Sequence, residues 1–295
     1  MNSSIQNLRK ILKVERAPDN IWQQAFDHDW GHFDRLLNLV DNEPNGVDLV
    51  DYCLDIRYEE IQPDLLRYLL PVCLEAWRVF LLDNQDSKYG AFVEHFYPAL
   101  ANRPILKEFL GKREYLAVIT FISNVILERI AQEKQLHFRG SSHVYKWFHA
   151  FCFFGMAFPS IEGIWNTWWS LKTPGQVIAA FQYASCLMYK DNQNPIFDPW
   201  TPDLGGGPPE LWVTDGHVYD LGWKKENVDF IKSVLTVDYL KDKLNKASVQ
   251  LQGESFQKSQ KILADFDTQK EFLKERISEL PELLFAPVLG AWLDG

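Results

Sequence analysis

The recurrence of large apolar residues at intervals of three and four is what most limits how this chain can fold. In residues 61–83, IQPDLLRYLLPVCLEAWRVFLLD, one helical face collects Leu65, Leu66, Leu69, Leu70, Leu74, Trp77 and Leu81. That phase predicts Trp77 in the core. Pro63 suits a first helical turn, whereas Pro71 falls inside the pattern and predicts a kink or break near Leu69–Leu70. Lys112 to Gln135 is more apolar still. Leu116, Ile119, Ile122, Val125, Ile126 and Ile130 mark one face, and Tyr115, Val118 and Phe121 widen it, as in a central helix.

The same period extends to most of the chain. Ser3 or Ser4 can cap a short helix reaching Lys13. GAFVEHFYPAL and RPILKEFLG read as two short helices punctuated by Pro98, Pro104 and Gly111. Residues 143–157 read as an aromatic helix, and Thr173-Pro174 opens another by the cap-then-proline pattern. Val237–Gln252 and Ser255–Ser278 are charged and amphipathic, an expected antiparallel surface pair that Pro281 ends. With 295 residues, 46% of them hydrophobic, there is enough chain for a large core. The expected architecture is mainly α: a bundle-like single domain over 1–295, divisible into halves 1–140 and 141–295.

One tract breaks the pattern. Residues 194–210 are rich in proline and glycine, with Gly205–Gly207 followed by Pro208 and Pro209. A phosphate-cradling loop needs backbone N–H groups aimed at the anion, usually with a Lys after the last glycine. Two prolines and Glu210 stand there instead, so the tract reads as an ordered loop of fixed path. Next comes LWVTDGHVY. It has β-formers on either side of Asp215-Gly216, which predicts a small β-hairpin over about 211–220. Six of the eleven tryptophans lie between Trp165 and Trp223. Two readings stay open for them: packing of the loop and hairpin against the helix after Thr173, or a recognition surface. The second reading makes Trp200, Asp203, Glu210, Trp212, His217 and Trp223 the candidate ligand- or partner-binding residues.

Elsewhere the chemistry-bearing residues form weak patterns. His28 and His32 are four apart, but Gly31 interrupts them and no third ligand can be identified, so no metal is expected. Ser141-Ser142 reads as a helix cap. Ser185-Cys186 lies in an apolar helix without a polar neighbour to activate the thiol. No catalytic signature is found, no residue is assigned a catalytic role, and no cofactor is expected.

The net charge of −10 opposes nucleic acid and anionic lipid, and suits a basic protein partner. The four cysteines are scattered without a C-x-x-C, and the N-terminal segment lacks a signal peptide's apolar core. The most apolar run, 147–158, is shorter than the ~20 residues a spanning helix needs. A cytoplasmic protein, with no membrane association, is expected.

YEEIQPDLLRYLLPVCLEAW and YGAFVEHFYPALANR, within residues 50–135, resemble an uncharacterised bacterial helical family of unknown function that carries a short RYxLP-like motif. The resemblance implies a bacterial source and a helical fold, and carries no catalytic residue. By analogy with small acidic immunity proteins, the expected function is protein binding without catalysis. The competing expectation is an enzyme or small-ligand binder with its site at the loop around Trp200–Trp223.

Overall fold

The computed structural model describes residues 3–13, 16–19, 35–37, 44–83, 86–101, 105–137, 144, 148, 161–190, 193–196 and 225–285. These residues are mainly helical, and none of them is in a strand. The hairpin expected over 211–220 and most of the loop 194–210 lie outside them, as does nearly all of the aromatic helix expected over 143–157. No described helix is long and apolar enough to cross a membrane. The chain divides into two compact units, Met1–Val125 and Ile126–Gly295.

In the first unit, α1 (Ser3–Ile11) packs against α3 (Pro63–Asp83), and α2 (Gly46–Tyr58) packs along α4 (Asp86–Ala101). α5 (Ile105–Phe109) and the start of α6 (Lys112–Ala131) follow. Asn45 caps α2, its side-chain oxygen accepting from the Val47 N–H at 3.1 Å. Gly46 lets α4 come close, since a Cβ there would run into the Lys88 carbonyl. The Tyr89 hydroxyl closes the same corner by donating to the Pro44 carbonyl at 3.3 Å.

α3 corrects part of one expectation, the break at Pro71. It runs unbroken through Pro71. An internal proline costs a helix about 3 kcal/mol through the missing N–H and the ring clash. Against that stands burial of Leu65, Leu66, Leu69, Leu70, Leu74 and Leu81 along the helix, and of Trp77 at 1% exposure, as its phase requires. Each such side chain contributes roughly 1.5–3 kcal/mol, so packing outweighs the defect.

The second unit is built around α8 (Pro174–Met188). Every residue from Val177 to Met188 is buried, Gln182 and Ser185 included. Its start is a capping box: Thr173 Oγ1 accepts from the Gln176 N–H, and Gln176 Oε1 accepts from the Thr173 N–H, both at 3.3 Å. α10 (Val237–Ala247), α11 (Gly253–Asp265) and α12 (Lys270–Phe285) all contact it. α7 (Ile161–Trp168) and α9 (Lys225–Val234) pack together, and α9 also lies along α12. Gly175 sits against the end of α6, where a Cβ would collide with the Ala131 backbone.

The C-terminal region departs from the expected pair of long segments. Ser255–Ser278 is two helices, separated by a turn at 266–269. Phe266 fills the core at that turn with 1% exposure, so the apolar period continues through the segment that separates the two helices. Side chains on either side hold it: Tyr189 donates to Asp265 at 2.7 Å and Lys241 to Asp267 at 2.6 Å. α12 also continues past Pro281 to Phe285. Leu273, Arg276 and Leu280 are buried along it, and their packing carries the helix into the proline.

Candidate functional site

The six residues expected to form a binding site, Trp200, Asp203, Glu210, Trp212, His217 and Trp223, all lie outside the described residues. So do His28, His32 and the Ser141-Ser142 pair. The loop's first residues are described, and they are anchored. Asn194 is buried, donates to Ser185 Oγ at 3.1 Å and accepts from the Ile196 N–H at 3.2 Å.

Of the six tryptophans between Trp165 and Trp223, the three that are described serve packing. Trp165, Trp168 and Trp169 are each at most 1% exposed. Trp165 and Trp169 stack at 4.9 Å between ring centroids, and Tyr183 of α8 meets Trp165 and Trp168 edge-on, each at 5.5 Å. Phe148 joins at 5.3 Å from Trp168. Two indole N–H groups are satisfied: Trp165 donates to the Tyr239 hydroxyl and Trp168 to the Gln176 carbonyl, both at 3.1 Å. Edge-on and offset stacks of this kind add about 0.5–1.5 kcal/mol per pair beyond burial. With so little ring surface exposed, these residues cannot bind a partner.

Each unit also has a cleft. In the first, about 400 Å³ is enclosed by residues that include Lys13, Arg16, Asp19, Asp64, Arg67 and Tyr68. Its two arginines are paired: Arg16 with Asp19 at 2.9 Å, and Arg67 with Glu114 at 2.6 Å and the Phe109 carbonyl at 2.9 Å. In the second, about 440 Å³ is lined by Lys134, His137, Glu254 and Ser255. Lys258 reaches His137 Nδ1 at 3.3 Å and Glu254 at 2.8 Å. An ammonium can only donate, so Nδ1 is the accepting atom of this contact. Lys258 therefore bridges the two side chains, as ion-pair partner of Glu254 and hydrogen-bond donor to His137. No group of three His, Cys, Asp or Glu side chains among the described residues could hold a metal ion.

The least ordinary surface is on α2. Its inward side carries two carboxylates, Asp48 and Asp55, exposed by 2% and 3%. Arg35 clasps both oxygens of Asp48, donating from Nε at 3.0 Å and from Nη2 at 2.7 Å. The inward side is otherwise apolar, with Leu49, Tyr52, Cys53 and Ile56, but the outward side carries apolar groups as well. Val47, Val50, Asp51, Leu54, Arg57 and Tyr58 share it by helical period. Val47 is 64% exposed and Tyr58 55%, while Val50, Asp51 and Leu54 are half-buried. The Arg57 guanidinium lies 5.1 Å from the Tyr58 ring centroid. Glu60 and Asp64 are exposed just beyond the helix, and Glu59 is half-buried. The spacing 47, 54, 58 was available in the sequence as a signal for this face. It is short, and it competes with an equally periodic buried face on the same helix.

Beneath that surface Cys53 and Cys73 are buried free thiols, as is Cys186 in the second unit. Burial, and after it the hydrogen bond with Cys73, pushes the Cys53 thiol well up, so it is held as the neutral thiol. No family model, no curated protein and no solved structure matches this chain.

Proposed function

We propose that this chain works by binding a cationic protein and is not an enzyme, in the manner of an immunity protein in a bacterial cytosol. The observation that carries the reading is the distribution of charge. The unit Met1–Val125 contains 19 acidic and 13 basic side chains, a net −6 of the whole chain's −10. A field of that sign raises association rates with a basic partner and opposes nucleic acid. The free, buried cysteines are in keeping with a reducing compartment. The bacterial source rests on the resemblance of residues 50–135.

Capture from a lysate of the source cell, with the tagged full chain as bait, tests this. The expected result is one basic protein, recovered in stoichiometric amount and released by raising salt. A reproducible lack of any such partner, or a partner whose retention is indifferent to salt, refutes the reading.

A further inference from the structure

We infer that the outward face of α2 is the docking surface, and that its occupant is a protein segment with an apolar centre flanked by Lys or Arg. The inference rests on the protein-binding reading above and adds the surface and the partner's chemistry. Helices on a protein surface ordinarily turn charge outward and apolar groups inward. α2 reverses part of this: Asp48 and Asp55 are inside, Val47 and Tyr58 are outside at 64% and 55% exposure, and Leu54 lies between them on the same face. Burial of two carboxylates carries a desolvation cost, so this is not an arrangement that stability alone favours.

Charge selects the occupant. Asp51 stands within the exposed face, and Glu59, Glu60 and Asp64 follow at its C-terminal end, against Arg57 as the one cation from 44 to 64. A second copy of this chain would set those carboxylates against their own equivalents. A cationic segment would neutralise them, while its apolar side chains cover Val47, Leu54 and the Tyr58 ring. Tyr58 has the properties of an interface anchor, a large ring with few rotatable bonds beside a guanidinium.

The test uses the full chain and three short synthetic helical peptides. One is amphipathic with Lys and Leu, one has Ser for each Leu, and one has Glu for each Lys. Binding is read by fluorescence anisotropy, and the footprint by amide hydrogen exchange. The Lys/Leu peptide is expected to bind most tightly and to protect residues 47–58. The double variant Val47→Ser, Tyr58→Ser should weaken it about tenfold or more, as loss of interface anchors does. Asp51→Asn should weaken it less and flatten its salt dependence. Both variants alter side chains that are exposed or half-buried, so thermal melts should match the parent and confirm that they fold.

Equal binding of the Lys/Leu and Lys/Ser peptides, an unchanged affinity in the double variant, or a footprint elsewhere would overturn the inference. So would self-association of the chain that Tyr58→Ser abolishes, since that would give the face to a second copy. If lysate capture yields a salt-sensitive basic partner that the double variant still retains, the docking surface is wrong while the protein-binding reading stands.

Discussion

Gly175→Ala is expected to destabilise the second unit, although the same change at Gly163 should not. Both glycines are in helices, where alanine is favoured by about 0.5–1 kcal/mol on propensity alone. The surroundings differ. A Cβ at Gly163 would meet nothing within 4 Å. At Gly175 it would lie 2.6 Å from the Ala131 carbonyl carbon and 3.1 Å from its Cα. The obstruction is backbone, so no side chain can rotate away, and α6 and α8 must move apart. Overpacking typically costs about 1–3 kcal/mol, and a backbone collision belongs at or above the upper end. Allowing for the propensity gain, the net loss should be about 2 kcal/mol. In a unit of this size that lowers Tm by about 4–8 °C. Gly163→Ala should leave Tm unchanged or raise it. Thermal melts followed by circular dichroism, with urea midpoints as a check, decide the matter. If Gly175→Ala melts with or above the parent, the close approach of α8 to Ala131 is wrong, and with it the packing at the start of the central helix.

Two further substitutions probe the same unit. Arg276, 8% exposed, donates from one nitrogen to the Cys186 carbonyl at 2.8 Å and the Tyr189 carbonyl at 2.9 Å, at the end of α8. Arg276→Met keeps an apolar stem but strands those carbonyls, and should lower the urea-derived stability by about 2–3 kcal/mol; a loss under about 0.5 kcal/mol would show that water replaces the guanidinium. The phenol of Tyr189 is pushed well above its ordinary range, first by burial and then by its hydrogen bond to Asp265. A raised folded-state pKa contributes stability that is whole below the unfolded value of about 10 and is lost as pH rises beyond it. Tyr189→Phe should therefore be less stable than the parent at neutral pH, and the gap should close in denaturant titrations carried above about pH 10; a gap independent of pH would refute the assignment.

Where structure was legible in the sequence, a local interaction specified it. Thr173-Pro174 with Gln176 contains the whole capping box, so the start of α8 could be read from four residues. Trp77 could be placed because Leu74 and Leu81, three residues before it and four after it, share its face. The misreadings share one cause. Pro71 and Pro281 signal helix termination locally, yet both helices continue because distant side chains bury their apolar faces. The turn at 266–269 is the converse. Phe266 keeps the helical period, and the segment contains no glycine or proline, so neither signal announces the interruption of the helix. Lys241, which helps to hold that turn, is 26 positions from its partner Asp267. The candidate binding residues at 200–223 lie outside the described residues. The α2 face that carries the docking proposal was hidden because the helix is periodic on both sides.

The burial of α8 from Val177 to Met188 also bears on how the second unit comes apart. Protons on the amides of a helix leave by whichever opening exposes them at least cost, and a helix with one wet face can fray from that face. α8 has none between Val177 and Met188, and α10, α11 and α12 all lie against it. Its amides can reach solvent only when those three helices have withdrawn together. The slowest exchange in the unit therefore belongs to the middle of α8, and its rate reports the free energy of opening the whole unit. The surface helices can open and close many times within one such event.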